Sequence, residues 1–179
     1  MVKAPLQILT TRLQLSMPQA IDAPLIFESY ASDPEVTRYL GWPRHLSLAD
    51  TEGFLSFSAQ HWERWPGGPY VIRRLSDGLV IGSTGFGFET PERASTGYVL
   101  AKDAWGTGFA TEALAAMVDV APRLGVLQLY ALCHPDHRAS RHILEKSGFT
   151  RDARWSKQVE FPNIAPGVLQ DVLCYSLSF

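Results

Sequence analysis

Two glycines placed one residue apart are the first feature of the sequence that could support chemistry. They lie in WGTGFATEA, residues 105–113, directly after the apolar run GYVLA and directly before a pattern typical of a helix. Glycine at a helix start exposes backbone N–H groups, and the helix dipole adds partial positive charge at the same place. Gly106 and Gly108 therefore favour a site for a phosphate group.

Other interpretations of these glycines compete with that one. A Walker loop requires Gly-Lys followed by Ser or Thr, whereas Gly108 is followed by Phe109 and Ala110. A dinucleotide-binding fingerprint requires a third glycine, and Thr111 stands in its place. A tight turn that binds nothing is the ordinary interpretation of an isolated Gly-x-Gly.

A second polar segment, HPDHRASRHILEKSGF, occupies residues 134–149. A group of residues in it is of types that bind metal ions: His134, Asp136, His137 and His142. Helical spacing would scatter these side chains, and no second set of ligands follows elsewhere in the chain. The sequence therefore predicts no metal site.

The elements that must position these segments follow from hydrophobic periodicity and turn residues. The predicted strands are LQILTTRLQL, PYVIRRL, LVIGSTGFGF, STGYVLA, VLQLYALC and LQDVLCYSLSF. The predicted helices are MPQAIDAPLIFESYASDP, SLADTEGFLSFSAQHWERW, the stretch from Gly108 to Pro122, and DHRASRHILEKSG. Hairpins early in the chain and a strand-helix-strand crossover later predict one α/β (α+β) domain over residues 1–179, with a mixed sheet covered by helices on both faces.

Composition narrows the classes of partner. With 16 basic against 18 acidic residues, the 179-residue chain has no broad charge for nucleic acid or an anionic membrane, so an anionic ligand must be held locally. Neither a membrane span nor a secretion signal is evident, so a cytoplasmic location is expected. Cys133 and Cys174 are expected to be reduced thiols packed in the sheet.

Together the two segments resemble the GNAT acetyltransferases, most closely the RimJ/RimL-like branch, which acetylates protein N-termini and other amines. In that branch the first segment is a Trp-Gly-x-Gly-x-Ala-Thr-Glu-Ala run, as here from Trp105 to Ala113. The second segment matches at Pro135, Ser140, Leu144, Glu145, Lys146, Gly148 and Phe149. Weaker similarity in TTRLQL, DPEVTRYLGWP and DVLCYSL extends the resemblance over nearly the whole chain.

The resemblance implies a GNAT-like fold with a mostly antiparallel sheet of about seven strands, about four helices, and two central strands that splay apart. It also implies acetyl-CoA as the acetyl donor. The residues implied in binding it are the backbone near Val99 and Leu100, then Trp105, Gly106, Thr107, Gly108, Phe109, Ala110 and Thr111, and finally His137 and Arg138. His137 stands where the family usually has asparagine.

The implied reaction is acetyl transfer to a primary amine, on a small molecule or a protein N-terminus, by direct attack in a complex with both substrates. Backbone N–H groups near Leu100 would hold the oxyanion. Ser140 is predicted to hydrogen-bond the departing sulfur, since Leu144 replaces the tyrosine of many relatives. Glu112 is a second catalytic candidate, which either faces the amine or is structural.

The general base is not assigned, because Ser95 stands where relatives often carry glutamate. Glu89, Glu92 or a chain of water molecules are the alternatives. The aromatic side chains at Tyr39, Trp42, Trp62 and Trp65 either shape the acceptor pocket or belong to the core. A catalytically weak coenzyme A sensing module remains the alternative function, and a homodimer is expected only by analogy with the family.

Overall fold

One sheet organises the chain in the computed structural model, which describes residues 2–153 and 157–179. Within these residues nine strands form: β1 (Gln7–Leu9), β2 (Leu13–Ser16), β3 (Pro69–Arg74), β4 (Val80–Thr90), β5 (Arg93–Leu100), β6 (Gln128–Cys133), β7 (Thr150–Arg151), β8 (Lys157–Glu160) and β9 (Leu169–Ser178). They pair in the order β1-β2-β3-β4-β5-β6-β9-β7, with β8 added to β9. All pairs are antiparallel except β5–β6, which is parallel.

Four α-helices cover the sheet in the described ranges: α1 (Ala23–Ile26), α2 (Leu48–Arg64), α3 (Phe109–Val120) and α4 (Arg138–Lys146). A 3-10 turn, Ala20–Asp22, leads into α1, and a π-helical turn, Phe27–Ala31, continues it. The start of α2 is fixed by the Asp50 carboxylate, which accepts a hydrogen bond of 2.9 Å from the Ser47 N–H.

The helices lie on both faces of the sheet. Leu100 packs in the larger core cluster with Leu114 of α3 and Leu144 of α4. Its neighbour Val99 packs in a second cluster with Ile26 of α1. Because successive side chains of a strand point to opposite faces, α3 and α4 cover one face and α1 covers the other.

The predicted fold class, a mixed and mostly antiparallel sheet flanked by helices, is confirmed, although more strands form than the expected number of about seven. LQILTTRLQL forms the β1–β2 hairpin instead of one strand, because Thr10 closes a turn: its N–H donates to the Leu13 carbonyl at 2.9 Å. The connection between the predicted strands LVIGSTGFGF and STGYVLA is a short turn, since β4 ends at Thr90 and β5 begins at Arg93. Strands β7 and β8 have two and four residues, too few for a periodic pattern.

The central strands β5 and β6 separate after a short stretch of pairing. Their register runs from Arg93 opposite Gln128 to Ser95 opposite Tyr130, and ends there. On their outer sides the two strands stay paired, β5 with β4 as far as Leu100 and β6 with β9 throughout. The predicted splay is therefore present and is held open by pairing on both flanks.

Candidate active site

A cleft of about 600 Å³ opens where β5 and β6 separate. It passes through the sheet, because its lining includes Tyr98 and Ser140 on the α3 and α4 face and Tyr39 and Trp42 on the opposite side. Polar groups that reach the cleft from both faces could therefore act on one ligand.

The backbone of β5 presents alternate residues to the cleft. The Ala101 N–H donates to the Ile81 carbonyl of the β4 side at 2.8 Å, and the Glu92 carbonyl accepts from Gln128 of β6 at 3.1 Å. Backbone hydrogen-bonding directions alternate along a strand. The N–H and C=O groups of the even-numbered residues of β5 therefore point toward β6. The backbone groups of Leu100 thus point toward the gap between β5 and β6, whereas those of Val99 point toward β4. This corrects the expectation that Val99 offers backbone groups to a ligand, although Val99 is among the residues that line the cleft.

Trp105 connects this backbone to the glycine segment. Its indole Nε1 donates a hydrogen bond of 2.8 Å to the Leu100 carbonyl, while its side chain is half-exposed. The Leu100 carbonyl therefore has a partner inside the protein. The Leu100 N–H points toward the gap between β5 and β6, beyond the point where β5–β6 pairing ends.

Both glycines of the segment adopt the left-handed conformation, with φ of 72° at Gly106 and 84° at Gly108. Gly108 is the N-cap of α3, and Thr107 closes the turn by donating from Oγ1 to the Ala104 carbonyl at 2.7 Å. The N–H groups of the first helical turn, at Phe109, Ala110 and Thr111, have no acceptor within the helix. The segment can therefore present several N–H groups and the positive end of a helix dipole to an anion.

Arg12, which the sequence did not single out, braces this segment from the β1–β2 turn. Its Nη1 donates to the Thr107 carbonyl at 2.9 Å, and its guanidinium lies 4.5 Å from the centre of the Phe109 ring. Arg12 Nε donates to Glu112 Oε2 at 2.7 Å, while Thr10 Oγ1 donates to Glu112 Oε1 at 2.6 Å. Partial burial alone would raise the pKa of Glu112, but the hydrogen bonds from Thr10 and Arg12 outweigh it and hold the pKa below its ordinary value.

Ser140 meets a tyrosine in the cleft. The Tyr98 hydroxyl lies 3.0 Å from Ser140 Oγ and 3.3 Å from the Ser140 carbonyl oxygen. Burial raises the pKa of Tyr98, so the phenol keeps its proton at neutral pH. The thiol of Cys133, also in the lining, has its pKa raised by burial and stays protonated. The cleft therefore holds neutral proton donors.

His137 is the N-cap of α4 and forms part of an aromatic group. Its ring stacks on Tyr39 at 4.8 Å between centroids, and His134 lies 4.9 Å from the same tyrosine. Burial, and then the proximity of His134, lower the pKa of His137, so its imidazole is neutral at pH 7. Arg138, which follows His137 as the first residue of α4, is exposed.

The four candidate aromatic residues divide between cleft and core. Tyr39 and Trp42 line the cleft, whereas Trp62 is buried in the larger core cluster and Trp65 stacks on Phe88 at 5.6 Å. Leu144, which stands where many relatives have a tyrosine, is buried and forms part of the cleft wall.

The two acidic residues considered as general bases, Glu89 near the end of β4 and Glu92 in the β4–β5 turn, lie outside the cleft. Glu89 accepts a hydrogen bond from the Tyr130 hydroxyl and forms an ion pair with Arg93 at 3.3 Å. Neither Glu89 nor Glu92 is among the described residues that line the cleft. Ser95 stands at the position where relatives often carry glutamate. Its hydroxyl donates a hydrogen bond of 3.0 Å to the Gly87 carbonyl.

Asn163, in the β8–β9 connection, fastens one side of the cleft to the other. Its Nδ2 donates to the carbonyl oxygens of Thr37 and Trp42, both at 2.8 Å, and its Oδ1 accepts from the Arg44 N–H at 2.8 Å. The segment that carries Tyr39 and Trp42 is thereby tied to the connection that begins at Phe161. Sequence gave no sign of this role, because the partners lie more than a hundred positions away.

Residues 2–153 and 157–179 contain neither a cluster of metal-binding side chains nor a membrane-spanning helix. No group of three or more His, Cys, Asp or Glu side chains is arranged to hold a metal ion there, and His134 Nδ1 accepts the Asp136 N–H at 3.1 Å. None of the helices in these ranges has the length and apolar character to cross a membrane.

Residues 12–150 match the model of the acetyltransferase (GNAT) domain. The chain belongs to the GNAT acetyltransferase family. A relative in Bacillus subtilis (strain 168), named the uncharacterized N-acetyltransferase YoaA, is 30% identical over 146 residues, which cover 80% of this chain and 82% of the relative. The N-acetyltransferase p20 of Bacillus licheniformis is 28% identical over 94% of this chain and 93% of its own.

Solved structures of acetyltransferases share the fold. RimL, a ribosomal-protein alpha-N-acetyltransferase solved with coenzyme A, superposes with a TM-score of 0.80 and 22% identity, covering 96% of both chains. An acetyltransferase from Agrobacterium tumefaciens str. C58 gives a TM-score of 0.78 and 24% identity over 100% of this chain and 98% of that one. This GNAT protein is accordingly an acetyltransferase enzyme.

The environment of Glu112 predicts a pH-dependent contribution to stability. Since the folded pKa lies below the unfolded one, the carboxylate stabilises the fold above about pH 4.3 and loses this effect as the pH falls through the folded value. We expect Glu112→Gln to lower the free energy of unfolding by about 1–3 kcal/mol at pH 7, measured by urea denaturation. The difference from wild type should shrink toward zero as the pH falls below about 4.

Glu52→Gln, at an exposed position of α2, serves as the control and should change little at any pH. A deficit of Glu112→Gln that stays the same from pH 7 to pH 3 would show that the carboxylate charge is not what stabilises this contact.

The hydrogen bonds of Asn163 predict local protection of the cleft wall. Asn163→Ala should speed hydrogen exchange at the Arg44 amide, which loses its acceptor, and lower the free energy of unfolding by about 1–3 kcal/mol. Asn163→Asp keeps an oxygen for Arg44 but cannot donate to Thr37 and Trp42, so it should protect the Arg44 amide better than alanine does. Equal protection in all three proteins would contradict the bracing role.

Proposed function

We propose that this enzyme transfers the acetyl group of acetyl-CoA to a primary amine, on a small molecule or a protein N-terminus, by direct attack in a complex that contains both substrates. One observation carries the proposal: the paired hydroxyls of Tyr98 and Ser140 line a cleft that crosses the sheet, and the Leu100 N–H points toward the same gap between β5 and β6. Acetyl-CoA, when bound, supplies the acetyl group as an activated thioester.

The glycine segment fits the phosphates of this donor. Gly106 has open space around a Cβ position, whereas a Cβ at Gly108 would lie 3.4 Å from Arg12 Nη2. In our proposal Thr107 to Thr111 hold the pyrophosphate through backbone N–H groups, with the side chains of Phe109 and Ala110 buried. Arg12 fixes the segment from the side and adds positive charge.

The inward-facing backbone of β5 fits the extended arm of the donor. Tyr98 and Leu100 lie on the side of β5 that has no strand partner, so the arm would add to β5 as an extra strand. In our proposal the Leu100 N–H donates to the carbonyl oxygen that becomes negative during transfer.

Ser140 would donate a hydrogen bond that stabilises the departing sulfur, and the thiolate would take up the proton that the attacking amine loses. Tyr98 can donate to Ser140, which leaves the serine hydroxyl hydrogen directed at a ligand, and burial keeps the tyrosine protonated. We assign Tyr98 as a positioning residue for Ser140. Glu112, whose two oxygens accept from Thr10 and Arg12, is assigned to holding the glycine segment in place.

The acceptor class is supported by what similar proteins are named for. A Salmonella typhimurium acetyltransferase of the same fold is described as modifying the N-terminal serine of a ribosomal protein. The MccE acetyltransferase, with a TM-score of 0.80, was solved with acetyl-CoA and AMP. Both classes of acceptor, protein N-termini and small molecules, are therefore within the proposal.

The second candidate function is a catalytically weak coenzyme A sensing module. It is favoured by Ser95, which stands where relatives often carry a glutamate and whose hydroxyl donates a hydrogen bond to the Gly87 carbonyl. The deciding experiment follows thermal unfolding with and without acetyl-CoA, and then thiol release against tyramine, spermidine, kanamycin and short peptides. A raised midpoint with thiol release supports the enzyme. A raised midpoint without release on any amine supports the sensing module, and no rise would overturn both.

The conformation of Gly108 predicts selective loss of donor binding. Its φ of 84° disfavours a β-branched residue, so Gly108→Val should distort the segment and weaken acetyl-CoA binding at least about 10-fold by calorimetry. Gly78→Val is the matched control, because Gly78 has a φ of 72° in the β3–β4 turn. It should show comparable strain and unchanged affinity; equal loss in both variants would sink the assignment.

The hydroxyl pair predicts a defect in turnover without a defect in binding. Ser140→Ala should lower kcat about 100-fold with little change in acetyl-CoA affinity, because the hydrogen bond to the departing sulfur is removed. Tyr98→Phe should give a smaller loss of kcat, and Ser56→Ala, at an exposed site on α2, should give none. A loss of affinity with unchanged kcat in Ser140→Ala would make it a binding residue.

A further inference from the structure

A second cavity of about 810 Å³ lies next to the cleft, between α1 and α2. Trp42 and Ser83 line both cavities, so the two spaces meet at these side chains. A ligand whose reactive end lies in the cleft can therefore extend its remaining atoms into the second cavity.

The walls of the second cavity are mainly aromatic and aliphatic. They include Ile26, Trp42, Leu46, Ala49, Phe54 and Phe57. Leu46 and Phe57 are 74% and 58% exposed, so the rim presents large apolar side chains to solvent. Covering such side chains is favourable when the ligand is itself apolar.

One polar group in the lining of this cavity, the Tyr30 hydroxyl, has no well-formed hydrogen bond. Tyr30 is 1% exposed, and its hydroxyl makes no hydrogen bond of acceptable geometry with any described residue, although Ser83 lies close by. A buried hydroxyl is stabilised by a hydrogen bond and costs free energy without one. The far end of a ligand in this cavity is therefore the natural place for a hydrogen-bonding group.

The charges around the two cavities disfavour a polycation. Among the described lining residues the carboxylates are Asp50 and Glu160. Asp50 accepts hydrogen bonds from the N–H groups of Leu46 and Ser47, and Glu160 accepts one from Gly167. A polyamine or an aminoglycoside would bring several positive charges to a site with few carboxylates and with Arg44 at its rim.

We propose that the second cavity holds the body of the acceptor, which is a monoamine with an aromatic-sized apolar group that ends in a hydrogen-bonding atom. This inference rests on the proposed amine acetylation. Small arylalkylamines and peptides that begin with an aromatic residue share this chemistry. Tyramine and a peptide beginning with tyrosine represent the two sources.

Gly53 allows the cavity to be filled without a steric clash. It lies in α2 and in the cavity lining, and a Cβ added to it meets no atom within 4 Å. Leucine is also a better helix former than glycine, so Gly53→Leu should fold at least as well as wild type. Gln60→Leu adds the same side chain at an exposed position of α2 outside the cavity, and serves as the control.

The test measures kcat and KM for tyramine, 2-phenylethylamine, methylamine and spermidine. Wild type should use tyramine at least about 10-fold better than spermidine in kcat/KM. Gly53→Leu should raise the KM for tyramine about 10-fold and leave methylamine within about 2-fold, with Gln60→Leu like wild type. Tyr30→Phe should remove the preference for tyramine over 2-phenylethylamine while leaving the unfolding midpoint the same or higher.

Spermidine used as well as tyramine, or a Gly53→Leu variant with unchanged KM for tyramine, would overturn the inference and leave amine acetylation standing. Calorimetry with tyramine in the presence of coenzyme A detects the opposite case, in which the cavity binds the amine but no acetyl group is transferred. Tyramine that binds wild type but not Gly53→Leu, without thiol release, would support the cavity assignment and overturn the proposed function. The tyrosine peptide, compared with one that begins with serine, then tells which source of the amine the cavity accepts.

Discussion

The backbone of β5 imposes the constraint on which the rest of the site depends. Every peptide group in a sheet needs a hydrogen-bond partner, and β5 loses its partner strand after Ser95. Trp105 satisfies the Leu100 carbonyl, but the other inward-facing groups are directed into the cleft. In the proposed complex a strand-like ligand would pair with these groups and complete the sheet at this point.

The opening is rigid because its edges are not free. The whole of β5 pairs with β4, and the whole of β6 pairs with β9. Each side of the cleft therefore belongs to a continuous antiparallel ladder. Bonds from Arg12 and Asn163 then fix the two segments that have no ladder of their own, the glycine segment and the wall around Trp42. Groups held in this way lose little conformational entropy when a ligand arrives.

Sequence was sufficient for features that depend on neighbours in the chain. The glycines, the start of α3 and the α2 cap follow from local spacing, and the family resemblance supplied the splay. Other features depend on register or on distant contacts. The side of β5 that Leu100 and Val99 present is set by pairing with β4, and the role of Arg12 is set by a glutamate 100 residues away. No local pattern carries that information.

The long separation of these bracing contacts also has a meaning for folding. Arg12 meets Glu112 across 100 residues, and Asn163 meets Thr37 across 126, whereas the β3, β4 and β5 hairpins close over short loops. Because closing a long loop costs more chain entropy than closing a short one, the hairpins can form well before either brace. A partly folded chain would then have much of its sheet and none of its ligand-binding geometry. In this order of events the ability to bind a ligand would be acquired last and would mark completed folding.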